Sequence, residues 1–159
     1  MTVSPTLQKF LDDTVTYDVI PHAPTMSSTR TAEACHVPGD ALAKAVVLRR
    51  DVGYMMAILP ASHHLNMSAL KIQLGHRVDL ATEEEVATLF DDCERGAVPP
   101  VGECYGLDVI IDDSIDTRRE ERSLAFWPRI VGSGRASLRR FGAFAVIGFI
   151  STGAFVAIY

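Results

Sequence analysis

The chain has 159 residues, 48% of them hydrophobic and 22% charged, which fits one globular domain with a core of its own and argues against a second. Fifteen lysines and arginines against twenty acids give a formal net charge of -5, so no overall field attracts a phosphate polymer and any nucleic-acid contact must be local. Cys35, Cys93 and Cys104 form no CxxC pair and argue against a secreted disulfide framework. The first residues lack the basic start and apolar run of a signal peptide, and a cytoplasmic protein is expected.

Ser4-Pro5 followed by Leu7, Phe10 and Leu11 predicts a short capped helix over 4–13. Val15 to Ile20 alternates as a strand. After Pro21-His22-Ala23-Pro24, the hydroxyl-rich run Ser27 to Thr31 leads a helix that Val37-Pro38-Gly39-Asp40 interrupts, and a further helix is expected to start near Asp40. The apolar run Ala41 to Leu48, the polar turn Arg49 to Gly53 and the run Tyr54 to Leu59 read as two antiparallel strands. Met67, Leu70 and Leu74, spaced by three and four before Gly75, predict a helix with a C-terminal stop.

Val78-Asp79-Leu80 reads as a short strand, and Thr82-Glu83-Glu84-Glu85 opens a helix with acids at its positive end, closing near Phe90. Asp91 to Gly102 contains Pro99 and Pro100 and is expected to be an ordered loop, since adjacent prolines remove two backbone donors. Leu107 to Ile111 reads as a buried strand closed by Asp112-Asp113-Ser114. Short strands alternating with short helices imply an α+β or mixed α/β domain.

Phe141 to Tyr159 carries nineteen residues without a charge. That is close to the ~20 that span a bilayer, and Arg139-Arg140 would mark a cytoplasmic flank. Against an anchor, Gly148 and Ser151-Thr152-Gly153 divide the run into Phe144 to Ile150 and Ala154 to Tyr159, which fits two buried strands joined by a turn. A third origin for this tail is an altered reading frame or a fusion. Packing on the domain is the expectation adopted over an anchor.

Lys44 interrupts an apolar run, so its amine either snorkels to the surface or points into a pocket. Gly96 permits backbone conformations closed to other residues, and Pro99 and Pro100 stiffen the backbone after it, so the loop is either a structural turn or a rigid wall for a small ligand. His22 is either a pocket residue or a surface histidine. Ser27 and Ser28 are equally explained by helix capping. His63 and His64 read as a solvated turn, because the further ligands of a zinc site are not arranged around them. Cys93 and Cys104 lie in no nucleophile motif and read as bystanders. Asp112 and Asp113, as adjacent strand residues, would point to opposite faces, so that one closes the pocket and the other meets water.

Taken in order, His22-Ala23-Pro24-Thr25-Met26-Ser27-Ser28, Ala43-Lys44-Ala45-Val46-Val47-Leu48, Ala57-Ile58-Leu59-Pro60, Ala81-Thr82-Glu83-Glu84-Glu85, Gly96-Ala97-Val98-Pro99-Pro100-Val101-Gly102 and Val109-Ile110-Ile111-Asp112-Asp113-Ser114 resemble the YbaK and prolyl-tRNA-synthetase-associated family of tRNA-editing deacylases. The resemblance covers residues 15–126. It implies an α+β domain with a mixed, barrel-like sheet and surrounding helices, whose pocket takes the aminoacyl group on the 3′-terminal adenosine of tRNA. It assigns catalysis to Lys44 and to the loop bounded by Gly96 and Pro100, and the substrate-binding residues expected around them, from their places in the chain, are His22, Met26, Ser27, Ser28, Val46, Ala97, Val98, Gly102 and Asp112. No metal or cofactor is implied, and no side chain serves as nucleophile; the terminal ribose hydroxyl and water are implicated in attack on the ester.

The expected function is a trans-editing deacylase that hydrolyses the ester of a mischarged small or medium amino acid. Aminoacyl-tRNA is the expected partner, with a synthetase as a second. The alternative is a noncatalytic module of the same fold that binds tRNA or a synthetase. The resemblance ends near Phe126, where the family continues through an Ala-Gly turn into a final strand and a polar helix. Residues 1–126 are therefore expected to form the editing domain, with 127–159 an apolar tail packed on it.

Overall fold

The computed structural model describes residues 3–116, 146–148 and 154–158. Helix α1 (Pro5–Thr14) starts where expected because the Ser4 hydroxyl accepts from the Leu7 amide and Pro5 occupies the first turn. Its buried Leu7 and Leu11, one turn apart, make a single apolar stripe. Strand β1 (Tyr17–Pro21) and helix α2 (Ser28–Ala34) come next, with the Ser27 hydroxyl accepting from the Arg30 amide.

The helix expected near Asp40 does not form. Pro38 to Ala41 is instead a tight turn closed by the Ala41 amide on the Pro38 carbonyl at 2.8 Å, and the chain passes directly into β2 (Leu42–Arg50). The apolar run that suggests helix continuation is claimed by the sheet, since β2 has partners on both of its edges. Strand β3 (Tyr54–Pro60) returns antiparallel through a turn in which Gly53 takes φ 75°.

Helix α3 (Met67–Leu74) is capped by Asn66 and ends on Gly75 in the left-handed region. Strand β4 (Val78–Leu80) pairs with Leu48–Arg50 of β2. Helix α4 (Glu83–Leu89) opens with a reciprocal capping box between Thr82 and Glu85. One 3-10 turn, Glu103–Tyr105, interrupts the irregular stretch before β5 (Asp108–Ile111), which runs parallel to β3. The expectation of a buried β5 is corrected: Asp108 is exposed and Val109 to Ile111 are only half-buried, because β5 ends the strand order and has one neighbour among the described residues. Asp113, expected to continue the strand, opens α5 (Asp113–Asp116) instead.

Two short strands from the tail complete the described sheet. Strand β6 (Val146–Gly148) pairs in parallel with Leu42 and Ala43, and β7 (Ala154–Ile158) bridges β6 to β1. The order is β1-β7-β6-β2-β3-β5, with β4 on the edge of β2 that it shares with β6. The mixed sheet agrees with the expected fold class. No pairing among the described residues joins β1 to β5, so the sheet is open where the resemblance implies a barrel-like closure. No helix among the described residues is long and apolar enough to cross a membrane. The turn at 151–153 and the segment 127–145, on which the tail readings also bear, lie outside the described residues.

Alternation along the strands divides the apolar groups between two faces. Ala43, Ala45 and Val47 join Met56 and Ile58 beneath Phe90, Val86 and Leu89. Val46 and Leu48 join Met55 and Ala57 beneath Leu70, Met67 and Leu74 of α3. Full burial of a side chain such as Phe90 contributes about 1.5–3 kcal/mol. A separate cluster of Val3, Leu7, Leu11 and Ala97 seats α1 on the irregular loop.

Candidate functional site

Lys44 sits opposite Leu59 in the β2–β3 ladder. It alternates with Ala43 and Ala45, so it projects on the face of Val46 and Leu48. The side chain is half-buried and its ammonium is held by backbone carbonyls. It donates to the Ala61 carbonyl at 3.1 Å and to the His63 carbonyl at short range, both in the segment that leaves β3. An ammonium has three N–H donors and no acceptor, so these two bonds leave one donor without a partner among the described residues. Partial burial moves the Lys44 pKa below its ordinary value, because desolvation penalises the charged form.

Asp112 stands one strand further on. Ile111 is level with Ile58, and the Asp112 amide donates to the Ile58 carbonyl at 2.9 Å, which carries the β3–β5 ladder past its last paired residue. Asp112 shares its parity with Ile110, which packs beside Val46 and Ala57. Lys44 and Asp112 therefore flank Leu59 on one face, at one end of the sheet. The Asp112 carboxylate accepts from the Ser114 amide at 2.9 Å and from the Ser114 hydroxyl, and His63 Nδ1 lies 3.8 Å away. Burial alone would raise its pKa, but the Ser114 donors and the His63 charge outweigh that and hold it below the usual carboxylate range.

Lys44 takes carbonyl partners and Asp112 takes Ser114, and among the described residues no ion pair joins the two. Opposite charges thus stand on either side of Leu59 without neutralising each other. Such an arrangement suits a small ligand that carries both a positive group and a developing negative oxygen.

The Gly96–Pro100 loop is built differently. Gly96 takes φ 78°, exposed, within a turn closed by the Ala97 amide on the Glu94 carbonyl. Ala97 is fully buried against Leu7 and Leu11, and Val98 packs into the cluster of Ala43 and Val47. Val98 is therefore on the face opposite Lys44, and the two hydrogen bonds of the Lys44 ammonium go to Ala61 and His63 rather than to residues 96–100. Gly102 is buried where a Cβ would lie 2.6 Å from Val109 Cγ2 and 3.3 Å from Leu107 Cβ, so its missing side chain serves loop packing. A polar network fixes the loop from its other end. The Ser4 and Tyr105 hydroxyls lie 2.8 Å apart, Tyr105 donates to Asp92 at 3.1 Å, and the Thr6 amide donates to the same carboxylate at 3.0 Å.

The other expected substrate contacts also divide. Val46 is packed under α3. Ser27 caps α2, and Ser28 is buried in its first turn. Met26 is 92% exposed, on the rim of an open depression with Pro24, Thr25, Arg30, Glu33 and Ala34. His22 Nδ1 lies 2.8 Å from the Ala23 carbonyl, while its Nε2 is buried with no partner among the described residues. No group of three His, Cys, Asp or Glu among the described residues is placed to hold a metal.

Two residues at the Lys44 end are not legible as site residues in the sequence. His63 reads as part of a solvated turn, and nothing in its neighbours signals that the end of β3 meets the end of β5. Ser114 carries a usable signal, since Asp-x-Ser after a strand is the pattern of an Asx turn.

These features define an α+β domain with an open mixed sheet that carries a lysine and an aspartate on one face at one end of it. The family model for the aminoacyl-tRNA editing domain matches residues 22–121, and the chain belongs to that family. Among solved structures, a candidate trans-editing enzyme for prolyl tRNA synthetase aligns over 98% of this chain and 87% of its own, with 19% identity and a TM-score of 0.66. A hypothetical protein aligns over 72% of this chain and 77% of its own, with 21% identity and a TM-score of 0.62. At these identities the likeness shows the shared fold. No curated protein matches the chain.

Proposed function

We propose that the protein is a trans-editing deacylase that hydrolyses the ester between a mischarged small or medium amino acid and the 3′-terminal adenosine of tRNA. The observation that carries this reading is the Lys44 ammonium, held by two carbonyls with one donor unspent among the described residues, across Leu59 from an Asp112 carboxylate held ionised by Ser114. In the proposed complex Asp112 receives the α-ammonium of the aminoacyl group. Lys44 donates to the oxygen on which charge develops as the ester carbon becomes tetrahedral. Water, oriented by the neighbouring ribose hydroxyl, forms the new C–O bond, the ester C–O bond breaks, and the proton that the water gives up passes to the leaving ribose oxygen.

Cysteine chemistry receives no support. Burial pushes the Cys104 thiol up to about 12 and raises Cys93 as well, so neither is a thiolate at neutral pH. Gly96 and Pro100 enter the proposal through the resemblance alone. Gly96→Ala assayed beside the wild type tests them, and unchanged deacylation would remove the loop from the site.

The deciding experiment incubates the protein with tRNAs charged with alanine, serine, cysteine and proline and measures ester loss. Release from at least one is expected, with Lys44→Met reducing the rate by about 10²–10³, the size of losing one preorganised oxyanion donor. No release from any of them would leave a noncatalytic binding module as the reading to adopt.

A further inference from the structure

His63 is linked to both charged groups of the site, to Lys44 directly and to Asp112 through Ser114. Its carbonyl accepts from Lys44, while its imidazole Nδ1 lies 3.3 Å from the Ser114 hydroxyl oxygen. The segment carrying it is pinned on three sides. The Ala61 amide donates to Leu42, the Ser62 amide to Gly39 and the His63 amide to Pro60, at 2.7, 3.2 and 3.0 Å. The backbone of His63 is thus fixed by the sheet, which leaves its ring to act on the turn after β5.

The hydrogen bonds there have a direction. The Ser114 hydroxyl gives its proton to Asp112, so toward His63 it presents a lone pair, and the ring must place its proton on Nδ1. The chain then runs from His63 Nδ1–H to Ser114 Oγ and from Ser114 Oγ–H to Asp112 Oδ1. An Asp112 carboxylate without that chain would keep the Ser114 amide but lose the constraint on the hydroxyl rotor.

We propose that His63 is a positioning residue, whose ring acts through Ser114 to orient the Asp112 carboxylate for the α-ammonium of the aminoacyl group. The proposal rests on the deacylase reading for the identity of the ligand, but its structural content does not. The His63 ring touches no reacting atom, and a contact made equally in ground and transition states changes KM more than kcat.

Three variants separate this role from mere stability. His63→Leu removes the donor and keeps the carbonyl that holds Lys44. His63→Asn places an amide N–H near the position of Nδ1. His63→Gln places its amide near Nε2, out of reach of Ser114. For deacylation, His63→Leu and His63→Gln are expected to raise KM about tenfold, the worth of one or two hydrogen bonds, with kcat within about twofold, while His63→Asn restores KM.

The second readout needs no substrate. In the amide NMR spectrum, the Ser114 resonance is expected to shift in His63→Leu and to return toward its wild-type position in His63→Asn. An unmoved Ser114 amide in His63→Leu overturns the proposal, as does a loss confined to kcat or a failure of His63→Asn to restore KM. If the Ser114 amide responds as expected but the wild type releases no amino acid from any charged tRNA, the positioning role stands and the deacylase reading is what fails.

Discussion

Lys44 occupies a position where a strand periodicity would ordinarily place an apolar side chain, and the carbonyls of Ala61 and His63 compensate its ammonium. The compensation is incomplete, since desolvation still moves its pKa below the ordinary 10.5. For a group with this sign, the cost of burying the charge is present below the folded pKa and is relieved as pH rises through it toward the ordinary value. The chain holds three lysines, Lys9, Lys44 and Lys71, so 13C-labelled lysine gives few enough signals to assign Lys44 by its loss in Lys44→Met. Its Cε resonance is expected to titrate below 10.5, and a midpoint at or above that value would contradict the burial described. At Gly102, an added methyl meets Val109 at 2.6 Å. Gly102→Ala is expected to lower unfolding stability by about 1–3 kcal/mol, the usual cost of overpacking, measured by urea titration.

At the scale of elements, α1 and the 91–105 stretch depend on each other. The helix contributes the Leu7 and Leu11 stripe against Ala97, and the loop contributes Asp92 to the helix N-terminus, where a negative group is favoured by the exposed amides. Leu7→Ala opens a cavity in this seam and is expected to cost about 2–5 kcal/mol. Hydrogen exchange should show the loss concentrated in residues 94–101 and α1, with β2 and β3 retaining their protection. Uniform loss across β2 and β3 would mean that α1 supports the whole sheet. Caps are legible in the sequence because they are local: Ser4, Ser27, Asn66 and Thr82 each accept from an amide within three residues. The turn at Pro38–Ala41 is not, since the same apolar residues suit a helix or a strand until a sheet partner is present.

Over the whole molecule, carboxylates hold distant parts of the chain together. Asp79, Glu85, Asp92 and Asp112 all have pKa values held below their ordinary range; through the first three, Lys71, Arg49 and Tyr105 are tied to other elements, while Asp112 closes the local turn to Ser114. Groups of this sign stabilise the fold fully above the unfolded pKa, about 4, and lose that contribution as pH falls through the lower folded values. Glu103, raised by burial, opposes them, but it is one against four. The thermal midpoint is therefore expected to fall between about pH 5 and about pH 3. A midpoint unchanged over that window would show these contacts to be energetically silent.

The sequence by itself determined most of the elements and the family, because caps, turn residues and hydrophobic periods are local, and because several short motifs in one order are specific where each alone is not. It also determined that Lys44 and Asp112 warranted attention, the first as a charge inside an apolar run and the second as the end of a strand. Tertiary structure decided which residues meet. Lys44 and Val98 of the Gly96–Pro100 loop, joined by motif order, pack toward opposite faces of the sheet, since side-chain direction alternates with every residue and the face that each loop covers depends on chain crossings. Lys44, Asp112, His63 and Ser114 come together because β3 pairs antiparallel with β2 and parallel with β5, and a register between strands tens of residues apart leaves no mark on the residues beside any one of them.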